Sequence, residues 1–279
     1  MGNTAITPSI SIVLPTYNGE KWLSRAVSSC LEQTFRNFEL IIVNDCSMDG
    51  TLRVAEEFAA KDSRVVIVSN SVNKKLPASL NAGFEKAKGE FLTWTSDDNW
   101  YRSDALERLY AEILKYDADL VYADYDVVDV SGAVVERKKL KEPEHLFSYN
   151  HVGACFLYKR SVFERLGGYR TDLFCAEDYE YWLRIWTAGM KMHHIPQSLY
   201  FYADNPCSLT ATRRDLILAK TIQLKMEYVD KVPVSAKAKV KALFRLYRKK
   251  SSCELKKLMI GIAPFYAYYL LLRYRLIGK

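Results

Sequence analysis

Between residues 10 and 115, short apolar runs alternate with stretches of helical periodicity, and this alternation constrains the fold more than any other feature of the chain. Ile10-Ser11-Ile12-Val13-Leu14 reads as a strand ending at Pro15. Residues 21–31 then put Trp22, Leu23, Ala26, Val27, Cys30 and Leu31 on one helical face. Strands at 38–43, 65–68 and 91–95 interleave with helices at 51–60, 76–88 and 104–115. Gly89 stops the third of these helices, and Ser103 stands where the cap of the fourth belongs. Strands separated by helices are the pattern of a mostly parallel, doubly wound α/β sheet with helices on both faces.

After residues 120–123 the rhythm changes. Val127-Val128 and Ala133-Val134-Val135 flank Ser131-Gly132 as in a hairpin, and residues 142–152 read as a loop over the site. A strand at 154–158 and a helix at 161–166, stopped by Gly167-Gly168, precede short strands at 191–195 and 199–202. From about residue 212 the chain reads as helical and basic, with a break at Pro233 and no internal repeat. The expected organisation is a domain over 1–211, with halves at about 9–125 and 126–211, and a basic helical tail over 212–279.

Of the 279 residues 49% are hydrophobic, enough to bury a sizeable core. No apolar span reaches the ~20 residues of a transmembrane helix, so none is expected. Met1-Gly2-Asn3-Thr4 lacks the basic and apolar regions of a secretory signal. The six cysteines show no CxxC spacing, which argues against structural zinc or a disulfide framework and for a reducing cytosol.

Charge divides the chain. Residues 212–279 carry 17 Lys and Arg against 4 Asp and Glu, whereas residues 1–211 carry 23 against 29. A mildly acidic body with a strongly basic tail points to an anionic surface as the tail's partner. Lys237, Lys239, Lys241, Arg245, Arg248, Lys249 and Lys250 interleave with Val240, Leu243, Phe244, Leu246 and Tyr247. An apolar run at 258–272 follows, bearing Phe265, Tyr266, Tyr268 and Tyr269, interrupted by Pro264 and trailed by Arg273 and Arg275. Aromatic segments between cationic flanks suit a membrane interface, which favours a peripheral position on the inner face of the cell membrane over packing on the body or an oligomer contact. No nucleic-acid motif accompanies the charge, so nucleic acid is not expected as a partner.

Two acidic clusters carry the chemistry. Ser96-Asp97-Asp98-Asn99 follows the strand Phe91-Leu92-Thr93-Trp94-Thr95, at the C-terminal edge where open α/β sheets bind ligands. Adjacent carboxylates there suit a divalent cation, which in turn suits a diphosphate. Glu177-Asp178 open a second helix, Tyr179-Glu180-Tyr181-Trp182-Leu183-Arg184. A cation site with a separate carboxylate is the equipment for moving a group from a diphosphate donor to a hydroxyl.

The segments so far described resemble the inverting family-2 glycosyltransferases of the GT-A fold, over roughly residues 9–211. The resemblance rests on Ser11-Ile12-Val13-Leu14-Pro15-Thr16-Tyr17-Asn18, Gln33-Thr34-Phe35, Glu39 through Asp45-Cys46-Ser47-Met48-Asp49-Gly50-Thr51, Ser79-Leu80-Asn81-Ala82-Gly83, Ala87-Lys88-Gly89-Glu90, Asp97-Asp98-Asn99, Leu166-Gly167-Gly168-Tyr169 and Glu177 through Arg184. Each motif is weak alone; their order and spacing together are specific.

The resemblance implies that Pro15, Thr16 and Tyr17 line a nucleotide-base pocket, the tyrosine offering a stacking face. It implies that Asp45 accepts from the N3–H of uracil, as an acceptor-only carboxylate suits. Asp97 would bind ribose or share the metal, and Asp98 would coordinate Mn2+ or Mg2+. Asp178 would be the general base toward the acceptor hydroxyl, with Glu177 orienting it or touching the acceptor. The donor implied is a nucleotide sugar, in particular a UDP-sugar, and the acceptor a glycan or lipid-linked glycan in cell-surface polysaccharide synthesis. Asp49-Gly50-Thr51 reads as turn and helix start, and His193-His194 as packing or surface rather than metal ligands.

Four positions depart from the family pattern. Asn99 stands where Asp-x-Asp has its second acid. Ala203 and Asn205 stand where an Arg and a His are usual, which shifts diphosphate stabilisation toward the metal or Arg213-Arg214. Arg170 stands where Asp is common. The competing readings are a polyprenyl-phosphate sugar transferase, a non-catalytic membrane-associated scaffold on the same fold and, more remotely, a nucleotidyltransferase, whose Gly-rich phosphate loop is missing.

Overall fold

The structure, a computed structural model, describes residues 7–276, and for Leu272, Arg273, Arg275 and Leu276 the backbone alone. The readings made for Met1 to Thr4 and for the Arg273 and Arg275 side chains lie outside the described residues.

In chain order the elements are β1 (Ile10–Thr16), α1 (Glu20–Leu31), β2 (Phe38–Asn44), α2 (Thr51–Ala59), β3 (Val65–Ser69), α3 (Leu76–Lys86), β4 (Phe91–Trp94), β5 (Trp100–Tyr101) and α4 (Ala105–Lys115). There follow β6 (Leu120–Val128), β7 (Val134–Lys138), β8 (Phe156–Lys159), α5 (Arg160–Leu166), α6 (Glu177–Thr187) and β9 (Met192–Ala203). The tail holds α7 (Leu209–Thr212), α8 (Arg214–Tyr228), α9 (Ala236–Lys249), α10 (Cys253–Ile262) and α11 (Pro264–Leu276). Among the described residues no helix is long and apolar enough to cross a membrane.

The strands form one sheet in the order β3-β2-β1-β4-β8-β6-β9-β5, with β7 paired to β6. The first four run parallel. Beyond them β8 lies antiparallel to both β4 and β6, β9 runs parallel to β6, and β5 pairs antiparallel with β9. All seven residues of β1 and of β2 are buried, because helices cover both faces and leave the strands no polar side.

Alternate residues feed two cores. Ile12, Leu14, Leu40 and Ile42 meet Leu23 and Val27 of α1, Val54 of α2, and Leu106 and Leu109 of α4. Val13, Ile41 and Val43 meet Leu80 and Phe84 of α3 on the other face, in a core that continues through Trp182 and Leu183 of α6. The tail joins this second core through Leu224 and Tyr228 of α8, Val240 and Leu243 of α9, and Leu255 and Met259 of α10. Burying each such side chain stabilises the fold by about 1.5–3 kcal/mol, so the tail is bound to the body by core packing.

Several motifs are contacts between distant segments. Ser11 Oγ donates to Glu39 Oε1 at 2.7 Å and accepts from the N–H groups of Lys88 and Gly89. Asn81 bonds both polar backbone groups of Tyr169, donating to its carbonyl and accepting from its N–H, each at 2.8 Å. The fully buried Gln33 ties α1 to the start of α4 by bonding Ser29 O, Arg102 O and Leu106 N. Arg184 reaches the Leu166 and Gly168 carbonyls while pairing with buried Glu180. Gly168 has no room for a side chain, since a Cβ would lie 2.5 Å from Asn81 Oδ1.

Three local expectations are corrected, and one strand is added. β1 passes through Pro15 and ends at Thr16. The Val13 carbonyl accepts from Thr95 N on the β4 side, so Pro15 faces that same side beyond the end of β4, where no N–H is required. The strands expected at 191–195 and 199–202 are one strand, because a register shift pairs Ala123 with Ile195 and Asp124 with Ser198 and leaves Pro196 and Gln197 outside the ladder. α4 is preceded by Asp104, without a side-chain cap, and Ser103 instead gives its carbonyl to Thr34 N. β5 is too short to be legible in the sequence and exists by pairing with β9.

Candidate active site

The end of β4 delivers Asp97 and Asp98 to the C-terminal edge of the sheet, half-buried. Thr16, the last residue of β1, donates its hydroxyl to Asp97 Oδ2 at 2.6 Å. Gly19, opening α1, is glycine for a steric reason: a Cβ would stand 2.2 Å from Asp97 Oδ2 and 2.4 Å from Thr16 Oγ1. Asp98 Oδ2 accepts from Asn205 Nδ2 at 3.0 Å. Burial pushes the Asp97 carboxyl up to about 6, against the Thr16 hydrogen bond and helped by the charge of Asp98. Burial raises Asp98 as well, against the Asn205 hydrogen bond.

Asn99 does not act as a third carboxylate. It is buried, and its Oδ1 accepts from the Ala203 N–H at 2.8 Å, pinning the end of β9 to the acidic turn. Among the described residues no three His, Cys, Asp or Glu side chains converge on one point. Two crowded carboxylates without a cage fit a cation that completes its shell from substrate phosphates and water. A divalent cation therefore suits Asp97 and Asp98, whose mutual repulsion it would relieve.

Asp45 follows β2, and its carboxylate organises the turn after β3. Oδ1 accepts from Asn70 Nδ2 and Lys74 N, each at 2.8 Å, and Oδ2 accepts from Lys75 N at 2.9 Å. A carboxylate has about four acceptor sites, so Oδ2 retains capacity for one more donor. Pro15 and Thr16 are buried and Tyr17 is 49% exposed, leaving its ring face accessible. Asp49 accepts from Glu20 N and from the Thr51 N–H and hydroxyl, as a turn-and-cap residue does.

The second acidic cluster opens α6 after Cys175, whose φ is 73°. Glu177 is 3% exposed and its Oε2 has no hydrogen-bond partner. Burial, then the charge of Asp178, pushes its carboxyl up to about 8. Asp178 is half-buried; it accepts from Asn150 Nδ2 at 2.8 Å and from Tyr179 N at 2.6 Å, while burial raises its carboxyl. The two environments differ: burial and the neighbouring charge shift Glu177 toward its protonated form, and Asp178 has the donors that favour its anion.

One residue links the clusters. Besides burial, the charges of Asp98, Asp178 and Asp204 all raise the Tyr202 hydroxyl. The ring of Tyr202 lies 5.7 Å from that of Tyr125, whose hydroxyl also feels Asp178. Asp98 and Asp178, 80 positions apart in the sequence, thus act on one tyrosine. Asn70, Asn150 and Tyr202 escape motif reading because each works through a neighbour. Asn205 was visible only as a departure.

Other flagged residues have structural partners. Arg170 pairs with Asp172 and Glu227 at 2.8 Å each. His194 is buried against Asp124, 2.8 Å away, and His193 stacks on Tyr116 at 3.7 Å. A hollow of about 470 Å³ lined by Pro8, Ser9, Lys88, Glu90 and Arg160 lies at the opposite end of β1 and β4, and none of Asp45, Asp97, Asp98, Glu177 and Asp178 lines it.

Comparison with known proteins agrees with the fold. The family model for glycosyl transferase family 2 matches residues 11–167. EpsE of Bacillus subtilis, which carries a provisional glycosyltransferase name, is 30% identical over 200 residues, covering 69% of this chain and 72% of its own. The glycosyltransferase GlyA of Streptococcus pneumoniae is 27% identical over 225 residues; these are 74% of this chain but only 32% of GlyA. Among solved structures, S. aureus TarS in complex with UDP aligns with a TM-score of 0.70 at 18% identity, over 94% of this chain and 83% of that one. The mannosyltransferase PcManGT from Pyrobaculum calidifontis, in complex with GDP-Man and Mn2+, aligns with a TM-score of 0.67 at 18% identity, over 98% and 76%.

The buried acids predict how stability depends on pH. A carboxyl raised above its unfolded value binds a proton more tightly in the fold, so its contribution is full at acid pH and is lost as pH rises through the folded value. For Glu177 that window runs from about 4.5 to about 8. Thermal denaturation of the metal-free protein is expected to show Glu177→Gln gaining in Tm over the parent as pH rises from 5 to 8. A Tm difference independent of pH would contradict the buried-acid assignment.

Proposed function

The chain belongs to glycosyl transferase family 2, and we propose that it transfers a sugar from a nucleoside diphosphate, in particular UDP, to a hydroxyl of a glycan or lipid-linked glycan, inverting the anomeric centre. Glycosyltransferase activity follows from the family. Donor, metal, stereochemistry and acceptor are our reading of the site.

The observation that carries it is the placement of the acids: the turn after β4 presents Asp97 and Asp98, held by Thr16 and Asn205, and the start of α6 presents Asp178, held by Asn150. The Tyr17 ring would stack on the base, and the remaining acceptor site of Asp45 Oδ2 would take the uracil N3–H. Asp97, steered by Thr16 and by the bare backbone of Gly19, would hold the ribose or share the ion. A divalent cation, Mn2+ or Mg2+, held by Asp98 would neutralise the departing diphosphate.

Asp178 would accept the acceptor's proton as the oxygen attacks from the side opposite the leaving group. Its raised carboxyl is closer to neutral pH than an exposed aspartate's, which improves it as a base. Glu177, protonated behind it, leaves the pair with a single charge and keeps Asp178 anionic. Bound complexes of TarS with UDP and of PcManGT with GDP-Man and Mn2+ support both nucleotide chemistries on this fold.

A membrane surface is the partner we assign to the outer face of the tail. Phe265 is 92% and Tyr268 51% exposed on α11, and Lys249, Lys250 and Lys257 of the same tail are exposed. Exposed aromatic and basic side chains on one tail favour an anionic interface.

A thermal-shift screen of nucleotide sugars with and without Mn2+ identifies the donor. Asp98→Ala is expected to abolish Mn2+-dependent UDP binding in calorimetry, and Asp178→Asn to leave that binding intact while cutting turnover on the order of 10²–10⁴-fold. Unchanged binding in the first would remove the metal role. Undiminished turnover in the second would remove the base and fit a phosphate acceptor, which arrives already ionised. Phe265→Ser with Tyr268→Ser is expected to abolish flotation with phosphatidylglycerol vesicles at unchanged Tm; equal flotation would exclude this face as the membrane contact.

A further inference from the structure

Lys225 of α8 is 1% exposed, an unusual place for a lysine. Its Nζ donates to the Phe147 carbonyl and, at 3.1 Å, to the Tyr179 hydroxyl. It also lies over the rings of Phe147 and Tyr179, at 4.7 and 5.5 Å from their centroids. Tyr179 in turn donates to the Leu146 carbonyl at 2.9 Å. Among the described residues Lys225 forms no ion pair, so a methionine there would fill similar space without the cost of burying a charge.

What this lysine holds is the loop of residues 143–150, whose Asn150 donates to Asp178. Tyr179 is the residue after Asp178, so one tie fixes both the loop and the first turn of α6. A second tail residue grips the same loop, Arg245 of α9 lying 4.8 Å over the Tyr149 ring. The contacts run from the tail through loop backbone to the carboxylate, without a substrate contact. Burial and the charge of Arg245 push Lys225 down to about 7, a penalty that packing alone does not require.

We propose that Lys225 is a positioning residue for the catalytic step: anchored in the tail, it fixes the acceptor-side loop so that Asn150 orients Asp178. The tail is then part of the transferase machinery as well as an appendage with an outer face. The inference rests on the assignment of Asp178 as base.

The test uses the full chain and compares Lys225→Met, Asn150→Ala and the double variant with the parent. Hydrogen–deuterium exchange of residues 143–150 reads the tie without any substrate. UDP binding with Mn2+ reads the donor site, and kcat and KM with the donor found by the screen read the chemistry. Lys225→Met is expected to speed exchange in 143–150 by about tenfold or more, leave the UDP Kd within about twofold, and lower kcat by about tenfold with donor KM unchanged. The double variant is expected to lose no more than the worse single one, since both act through one contact. Where Lys225→Met fails to fold, Tyr179→Phe, which removes only the hydroxyl, is read by the same criteria.

Unchanged exchange, or kcat losses that multiply in the double variant, would overturn the proposal. If the parent itself binds no nucleotide, the donor reading fails while the exchange experiment still decides whether Lys225 holds the loop. If exchange rises as expected but Asp178→Asn retains full turnover, the base assignment fails and with it the positioning role.

Discussion

Two pairs of adjacent carboxylates, one in the turn after β4 and one at the start of α6, each taken partly out of water by the fold, are the constraint around which the site is arranged. Asp97 and Asp98 are adjacent, as are Glu177 and Asp178, and burial raises all four. Each has a different response to that cost. Asp97 takes a hydroxyl bond and Asp98 an amide bond, Asp178 takes two donors, and Glu177 takes a proton. The residual repulsion at Asp97 and Asp98 is what makes a cation favourable there.

The departures from the family pattern turn out to touch one another. Asn99, in place of an acid, accepts from the backbone of Ala203, and Asn205 donates to Asp98. Where the family's sequence pattern has an acid and a basic pair, this chain has neutral amides that tie the turn after β4 to the end of β9 and the loop beyond it.

Much of this layout was legible before any coordinates. The parallel half of the sheet was, because β1 and β2 are buried on both faces and its strands read as short apolar runs between helical stretches. The positions of Asp97, Asp98, Glu177 and Asp178 were, because a strand end and a helix start are local features. What was not legible depends on partners distant in sequence. The Asn81–Tyr169 bridge, the Asn150 donor to Asp178 and the two-residue β5 carry no local signature. The bulge around Pro196 hid a continuous strand, since proline punctuates sequence even where a ladder steps over it. The tail looked separable by charge, yet its inner faces belong to the main core, because charge marks only the residues that meet solvent.

The crowded acids can be probed by counting protons. Burial raises Asp97 toward about 6, so a cation that shares this carboxylate would expel a proton on binding at pH 6. Calorimetry of Mn2+ with the UDP-sugar selected by the screen, repeated in buffers of different ionisation enthalpy, reads that proton directly, since a sugar-capped diphosphate does not titrate near pH 6. The expected result is a buffer-dependent enthalpy showing net proton release at pH 6, falling toward zero at pH 8 and absent in Asp97→Asn. A binding enthalpy independent of buffer at pH 6 would mean that no ion displaces a proton from Asp97, and would contradict a cation shared by the two carboxylates.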